Sequence, residues 1–154
     1  MQAWRITQER HVTRAFDGEG ARLFGGRWNS PGIAVVYLSR FVSTAILEIL
    51  VHVANPIGLA NHVSIGVEIP DDVSIEKIKR LPRNWRESPP SAQTQALGDE
   101  WCRSGRSALL YVPSAVLSDA HSDEWNLLVN PRHSDWAFVQ IRKPSTLNFN
   151  PRLR

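Results

Sequence analysis

The chain has a single cysteine, Cys102, so it holds no internal disulfide and no cysteine-built metal site. A buried, inert thiol is the expected state of that residue. No apolar run approaches the roughly 18 residues of a membrane span. The opening MQAWRITQER lacks the apolar core of a signal peptide, so a cytoplasmic location with no membrane contact is the default expectation. There is no G-x-G-x-x-G after a strand, no Gly-Lys-Ser/Thr phosphate loop and no G-x-S-x-G elbow. These absences argue against a Rossmann dinucleotide site, a P-loop enzyme and an elbow-type serine hydrolase. His11, His52, His62, His121 and His133 are not spaced as zinc ligands, and no metal is expected. Lysine is also scarce: Lys77, Lys79 and Lys143 are the only ones among 18 basic residues.

What is present describes an ordinary globular chain. Its 154 residues, 42% hydrophobic and 21% charged, favour one domain with a real core. The formal net charge is +3 and the pI about 9.5. An arginine excess suits anionic ligands, because a guanidinium forms a fixed fork to phosphate or carboxylate. It suits nucleic acid too, but the basic residues are scattered and no basic cluster with interleaved aromatics stands out, which argues against direct nucleic-acid binding.

Along the chain, Ala3 to Ile6 reads as a short strand, and IAVVYLS (Ile33 to Ser39) as a buried one. A helix follows through Ala54, capped by Ser43 or Thr44 and closed by Pro56. Val63 to Ile69 alternates as a half-buried strand. Lys79 to Gln95 reads as a surface loop entering a helix from about Ser91 to Arg103, and Ala108 to Pro113 as another buried strand. Glu124 to Pro131 and Trp136 to Ile141 read as two late strands joined by a turn, before a polar tail from about residue 143. Strands outnumber helices without β-α-β alternation, so the class is α+β.

The polar residues with chemical promise cluster around LFGGRWNSPG, Leu23 to Gly32. A Gly-Gly pair and a Ser-Pro-Gly turn make it a shaped loop presenting Arg27 and Trp28. Tyr37 ends the next strand, Glu48 lies in the helix after it, and His52 stands four residues on, hence on the same helical face. By residue pattern alone, Glu48 lies on a solvent stripe or is partly buried with a partner. Arg27 anchors its loop or grips an anion, Tyr37 reads as core, and Ser114 reads as a cap after Val112-Pro113.

The ordered segments GGRWNSPGIAVVYLS, AILEILVH, GDEW, VPS and EWNLLVNPRH strongly resemble the RES domain, a family of bacterial type II toxins encoded beside Xre-like antitoxins. The resemblance runs from Trp4-Arg5 to about Trp136, within a single domain spanning 1–154. The family's dispersed Arg, Glu and Ser fall on Arg27, Glu48 and Ser114; the contiguous Arg86-Glu87-Ser88 spells the same letters by coincidence. Trp4 departs from the tyrosine expected beside Arg5. The resemblance implies an ADP-ribosyltransferase-like fold, two small facing sheets with helices around an NAD cleft. It also implies consumption of NAD+, with ADP-ribose passed to water, phosphate or a target protein, and a cognate antitoxin as partner. In that chemistry Glu48 supports the oxocarbenium-like ribose and Arg27 the pyrophosphate, with Arg5 helping. Tyr37 stacks on nicotinamide, Ser114 orients Glu48 or binds the cofactor, Gly26 lets the dinucleotide approach, and His52 orients Glu48 or fills the helix surface. Asn126, Asn130 and His133 are expected mainly to hold the late strands and turn. Two other readings stand beside the enzyme: a non-catalytic nucleotide- or nucleic-acid-binding module, and an RNA-cleaving toxin.

Overall fold

The computed structural model describes residues 1–52, 61–117 and 124–148. Strand β1 (Gln2–Gln8) leads through a 3-10 turn, Glu9–Arg14, to helix α1 (Glu19–Phe24), strand β2 (Val36–Ser39) and helix α2 (Val42–Leu50). Then come β3 (His62–Glu68), β4 (Ile75–Lys77), α3 (Ala92–Ser104), β5 (Leu109–Pro113) and β6 (Trp125–Val129). A second 3-10 turn, Ser134–Phe138, precedes the short strands β7 (Gln140–Ile141) and β8 (Ser145–Thr146).

The strands form one hydrogen-bonded path, β4-β5-β6-β2-β1-β3-β7, with β8 also on β3. Among the described residues only β4 and β5 pair in parallel. The two separate sheets expected from the sequence are therefore joined, but narrowly. β1 runs against β3 from Gln2↔Glu68 to Gln8↔His62, whereas it meets β2 at Trp4↔Ser39 alone. Where that ladder stops, the Tyr37 carbonyl accepts a hydrogen bond from Arg5 Nη1 at 2.9 Å instead of a backbone N–H.

Strand alternation divides the core into two faces. Val36, Leu38, Leu109, Leu127 and Val129 pack on one side with Ala3 and Val67. Leu110, Val112 and Leu128 pack on the other with Trp28, Val35 and Trp101. Tyr37 lies in register with Leu128, and Leu128 with Leu110, so Tyr37 belongs to the face covered by α3.

Helix α3 begins as its sequence predicts: the Ser91 side chain accepts from Thr94 N–H, and Gly105 closes the helix in the left-handed region at φ 59°. α2 differs from expectation. Phe41 is its N-cap and offers no side-chain bond, while Thr44 is buried and its hydroxyl goes to Glu124. The helix ends at Leu50, and the segment expected to carry it through Ala54 lies outside the described residues from 53 onward. The second late strand is also replaced. His133 Nδ1 accepts from Asp135 N–H, Asp135 holds Ser74, and the chain turns as a 3-10 helix. Only Gln140–Ile141 is extended there, and it pairs with β3 rather than β6.

Candidate active site

Glu48 sits in the second turn of α2, a partly exposed carboxylate facing the end of β5 and the start of β6. Its Oε1 accepts from Ser114 Oγ at 2.6 Å and from Asn126 Nδ2 at 2.5 Å. The Asn126 amide is oriented in turn by Ser39, whose Oγ donates to Asn126 Oδ1 at 2.7 Å. Ser39 and Asn126 are register partners across β2 and β6, so the sheet itself sets this contact. Ser114 Oγ also accepts from Val116 and Leu117 N–H, so it caps the following segment and holds Glu48 at once. Among the described residues Oε2 of Glu48 accepts nothing, leaving it for a hydroxyl or a developing positive charge.

The loop with Arg27 is held by different means. Asn29, fully buried, donates from Nδ2 to the carbonyls of Ala21, Ser30 and Ile33 and accepts at Oδ1 from Tyr37. The Tyr37 hydroxyl also accepts from Trp28 N–H at 3.1 Å. Burial pushes the Tyr37 pKa well above the usual phenol range, so it acts as a neutral donor and not as a base. Gly26 is explained from within the protein: a Cβ there would stand 2.5 Å from the Tyr37 hydroxyl oxygen. The room it makes is occupied by Tyr37. The GDEW segment of α3 clamps the loop from behind. Gln95 Nε2 bonds the Gly26 carbonyl, Asp99 Oδ1 accepts from Ser30 N–H, and a Cβ on Gly98 would meet the Trp28 carbonyl oxygen at 1.7 Å. Trp28 is core.

Arg27 is half-buried, and its Nη1 donates to the Trp85 and Glu87 carbonyls at 2.5 and 2.9 Å. It therefore anchors the loop between β4 and α3, which also carries Arg86-Glu87-Ser88. The charges of Arg27 and Glu48 both act on the Tyr37 hydroxyl, placing the two within one electrostatic neighbourhood. Arg5 lies on the other side of β2. Desolvation lowers its pKa to about 10, with Asp17 opposing the shift, and its buried Nε has no partner among the described residues. A desolvated guanidinium with an open N–H is a natural seat for an anion.

The structure thus joins Glu48 to Ser114 by a hydrogen bond and ties Tyr37 to the loop that carries Arg27, while Arg5 on β1 donates to the Tyr37 carbonyl. His52 lies two residues past the end of α2, exposed in the turn where its N–H bonds the Ile49 carbonyl. Asn130 and His133 hold the late turn as expected, through Cys102 O and Asp135 N–H. Asn126 also donates to Glu48 Oε1, a contact set by its register opposite Ser39. Among the described residues no group of three metal-ligating side chains occurs, and no helix is long and apolar enough to cross a membrane.

Comparison with known proteins finds relatives over nearly the whole chain. The family model described as RES domain matches residues 2–150. A "Toxin Res" of Yersinia enterocolitica is 36% identical over 156 residues, covering 100% of both chains. A "Prs ADP-ribosylating toxin" of a Sphingobium species is 36% identical, over 97% of this chain and 94% of that one. Among solved structures, a chain of the M. tuberculosis MbcT-MbcA toxin-antitoxin complex shares the fold with a TM-score of 0.76. It is 19% identical, with 95% of this chain and 83% of that one covered.

Proposed function

The chain belongs to the RES domain family, and from that premise we propose that it is a toxin of a toxin–antitoxin pair that consumes NAD+. The observation that carries this reading is the Glu48 carboxylate, with Oε1 gripped by Ser114 and Asn126 and Oε2 open. Cleavage of the nicotinamide–ribose bond develops positive charge at the anomeric carbon. Oε2 of Glu48 holds the ribose 2′-hydroxyl and stabilises that charge. Because Oε1 is already fixed, little reorganisation accompanies the step. The bonding pair leaves with nicotinamide, which departs neutral.

Arg5 binds the pyrophosphate through its free Nε, and Arg27 does so from the loop; Tyr37 lines the wall between them and the ribose. The fold is read as ADP-ribosyltransferase-like, its two halves being the strand groups joined at Trp4↔Ser39. ADP-ribose passes to water, phosphate or a target protein, and an Xre-like antitoxin restrains the activity in the cytoplasm. Two names support the enzyme and the pairing: that of the ADP-ribosylating relative and that of the toxin–antitoxin complex.

The test is release of nicotinamide from NAD+ by the purified, antitoxin-free protein, with Arg27→Ala as control. Labelled NAD+ in cell lysate then separates the acceptors: one discrete labelled band means protein transfer, free ADP-ribose means hydrolysis, and ADP-ribose phosphate means phosphorolysis. A nucleotide-binding module without catalysis would bind NAD+ and release nothing.

A further inference from the structure

A second carboxylate reaches the same place as Glu48. Glu124, which immediately precedes β6, accepts a hydrogen bond at Oε2 from the Thr44 hydroxyl. Thr44 is fully buried, while Glu124 is partly exposed. Thr44 and Glu48 are four apart on α2 and share a helical face. Glu124 stands two residues before Asn126 at the start of β6, a spacing that in extended chain puts both on one side. The two contacts, Thr44–Glu124 and Glu48–Asn126, are successive rungs between the same helix and the same strand. Their spacing sets the two carboxylates roughly 5–7 Å apart. Among the described residues Oε1 of Glu124 accepts nothing.

We infer that Glu124 is the general base for the ADP-ribose acceptor, and that it selects an uncharged O–H acceptor, water or a side-chain hydroxyl, over inorganic phosphate. The inference rests on the NAD+-consuming reading of Glu48. A neutral hydroxyl attacking an oxocarbenium-like carbon must lose its proton as the new C–O bond forms. That proton passes to Oε1 of Glu124 and then to solvent, while the broken C–N pair leaves with nicotinamide. A phosphate dianion needs no base, and a second carboxylate beside Glu48 repels it. Glu48 already has its two donors and faces the ribose, so it is not free for this role. Thr44 is the positioning residue, fixing Oε2 so that Oε1 faces outward.

A purely structural role for Glu124 is the competing explanation, since α2 has no side-chain cap and a carboxylate near its N-terminus suits the helix dipole. Azide, an anionic nucleophile that needs no base, distinguishes the two. In phosphate buffer the wild type is expected to give ADP-ribose, or label on a protein hydroxyl when lysate is added, and no ADP-ribose phosphate. Glu124→Gln and Glu124→Ala, with folding checked by thermal melting, should release nicotinamide about 10²-fold more slowly. Azide should restore their turnover and appear in the product as azido-ADP-ribose, and phosphate should become an acceptor. ADP-ribose phosphate as the main wild-type product overturns the inference. So does a wild-type rate in folded Glu124→Gln, or a folded slow variant that azide does not rescue. A wild type that releases no nicotinamide with any acceptor overturns the NAD+ reading as well.

Discussion

The carboxylate end and the arginine end of the site are built in opposite ways. Glu48 is held by side chains from three regular elements: Ser39 of β2, Asn126 of β6 and Ser114 at the end of β5. Arg27 stands on an irregular loop, and its guanidinium bonds main-chain carbonyls of another irregular loop, at Trp85 and Glu87. Sheet register fixes the first. The second depends on backbone contact between the loop and α3 at Gly98, where no side chain fits. A group that meets the reacting carbon profits from preorganisation, whereas one that grips a distant phosphate tolerates adjustment. The difference assigns rate to one end and affinity to the other.

Variants that loosen each end separately should break that assignment if it is wrong. The largest effect outside Glu48 itself is expected from Asn126→Ala, which removes a donor to Oε1 and frees Ser39. The kcat for nicotinamide release should fall about 10²-fold with KM for NAD+ nearly unchanged, as measured by steady-state kinetics. An equal rise in KM instead would place Asn126 in binding. Arg27→Ala should show the reverse, a KM raised about 10-fold and a kcat changed far less. Gly98→Ala pushes a Cβ into the Trp28 carbonyl and should cost about 1–3 kcal/mol in denaturant unfolding. Its kinetic defect should resemble that of Arg27→Ala and not that of Asn126→Ala.

The smallest effect sharpens the comparison at Arg5. Its folded pKa, about 10, is depressed below the ordinary arginine value, so the charged form carries a burial cost at neutral pH. The unfolded chain binds more protons between about pH 10 and the ordinary value, so this group's contribution makes the fold relatively more stable as pH rises through that window. At neutral pH, Arg5→Met removes that burial cost but leaves the Tyr37 carbonyl without its donor, so the melting temperature should shift by only a few degrees while NAD+ binding weakens. A large drop in melting temperature would make Arg5 a structural anchor instead.

Much of the scaffold was legible in the sequence because its signals are local. Ser91 caps α3, Gly105 ends it, and the apolar runs ending at Ser39 and Pro113 contain β2 and β5. Val63 to Ile69 overlaps all of β3 but His62, though that strand is buried on both faces and not half-buried as its alternation predicts. What was misread depends on partners distant in sequence. His133 caps a turn that converts an expected strand into a 3-10 helix. β4 has only three residues and exists by pairing with β5. α2 stops at Leu50, short of His52, a boundary that periodicity does not set. Of the site, the residue pattern alone left Glu48 between solvent and burial; the ordered motifs singled it out. Asn126 escaped because its role follows from strand register, which pairs it with Ser39 across a long sequence separation.

The central claim is that the fixed Glu48 carboxylate cleaves the nicotinamide–ribose bond. Single-turnover release of nicotinamide, wild type against Glu48→Gln at saturating NAD+, tests it most directly. Glutamine preserves the shape and one acceptor oxygen but removes the charge. The prediction is a rate lower by about 10³-fold with NAD+ affinity changed little. A Glu48→Gln protein that releases nicotinamide at the wild-type rate would contradict it.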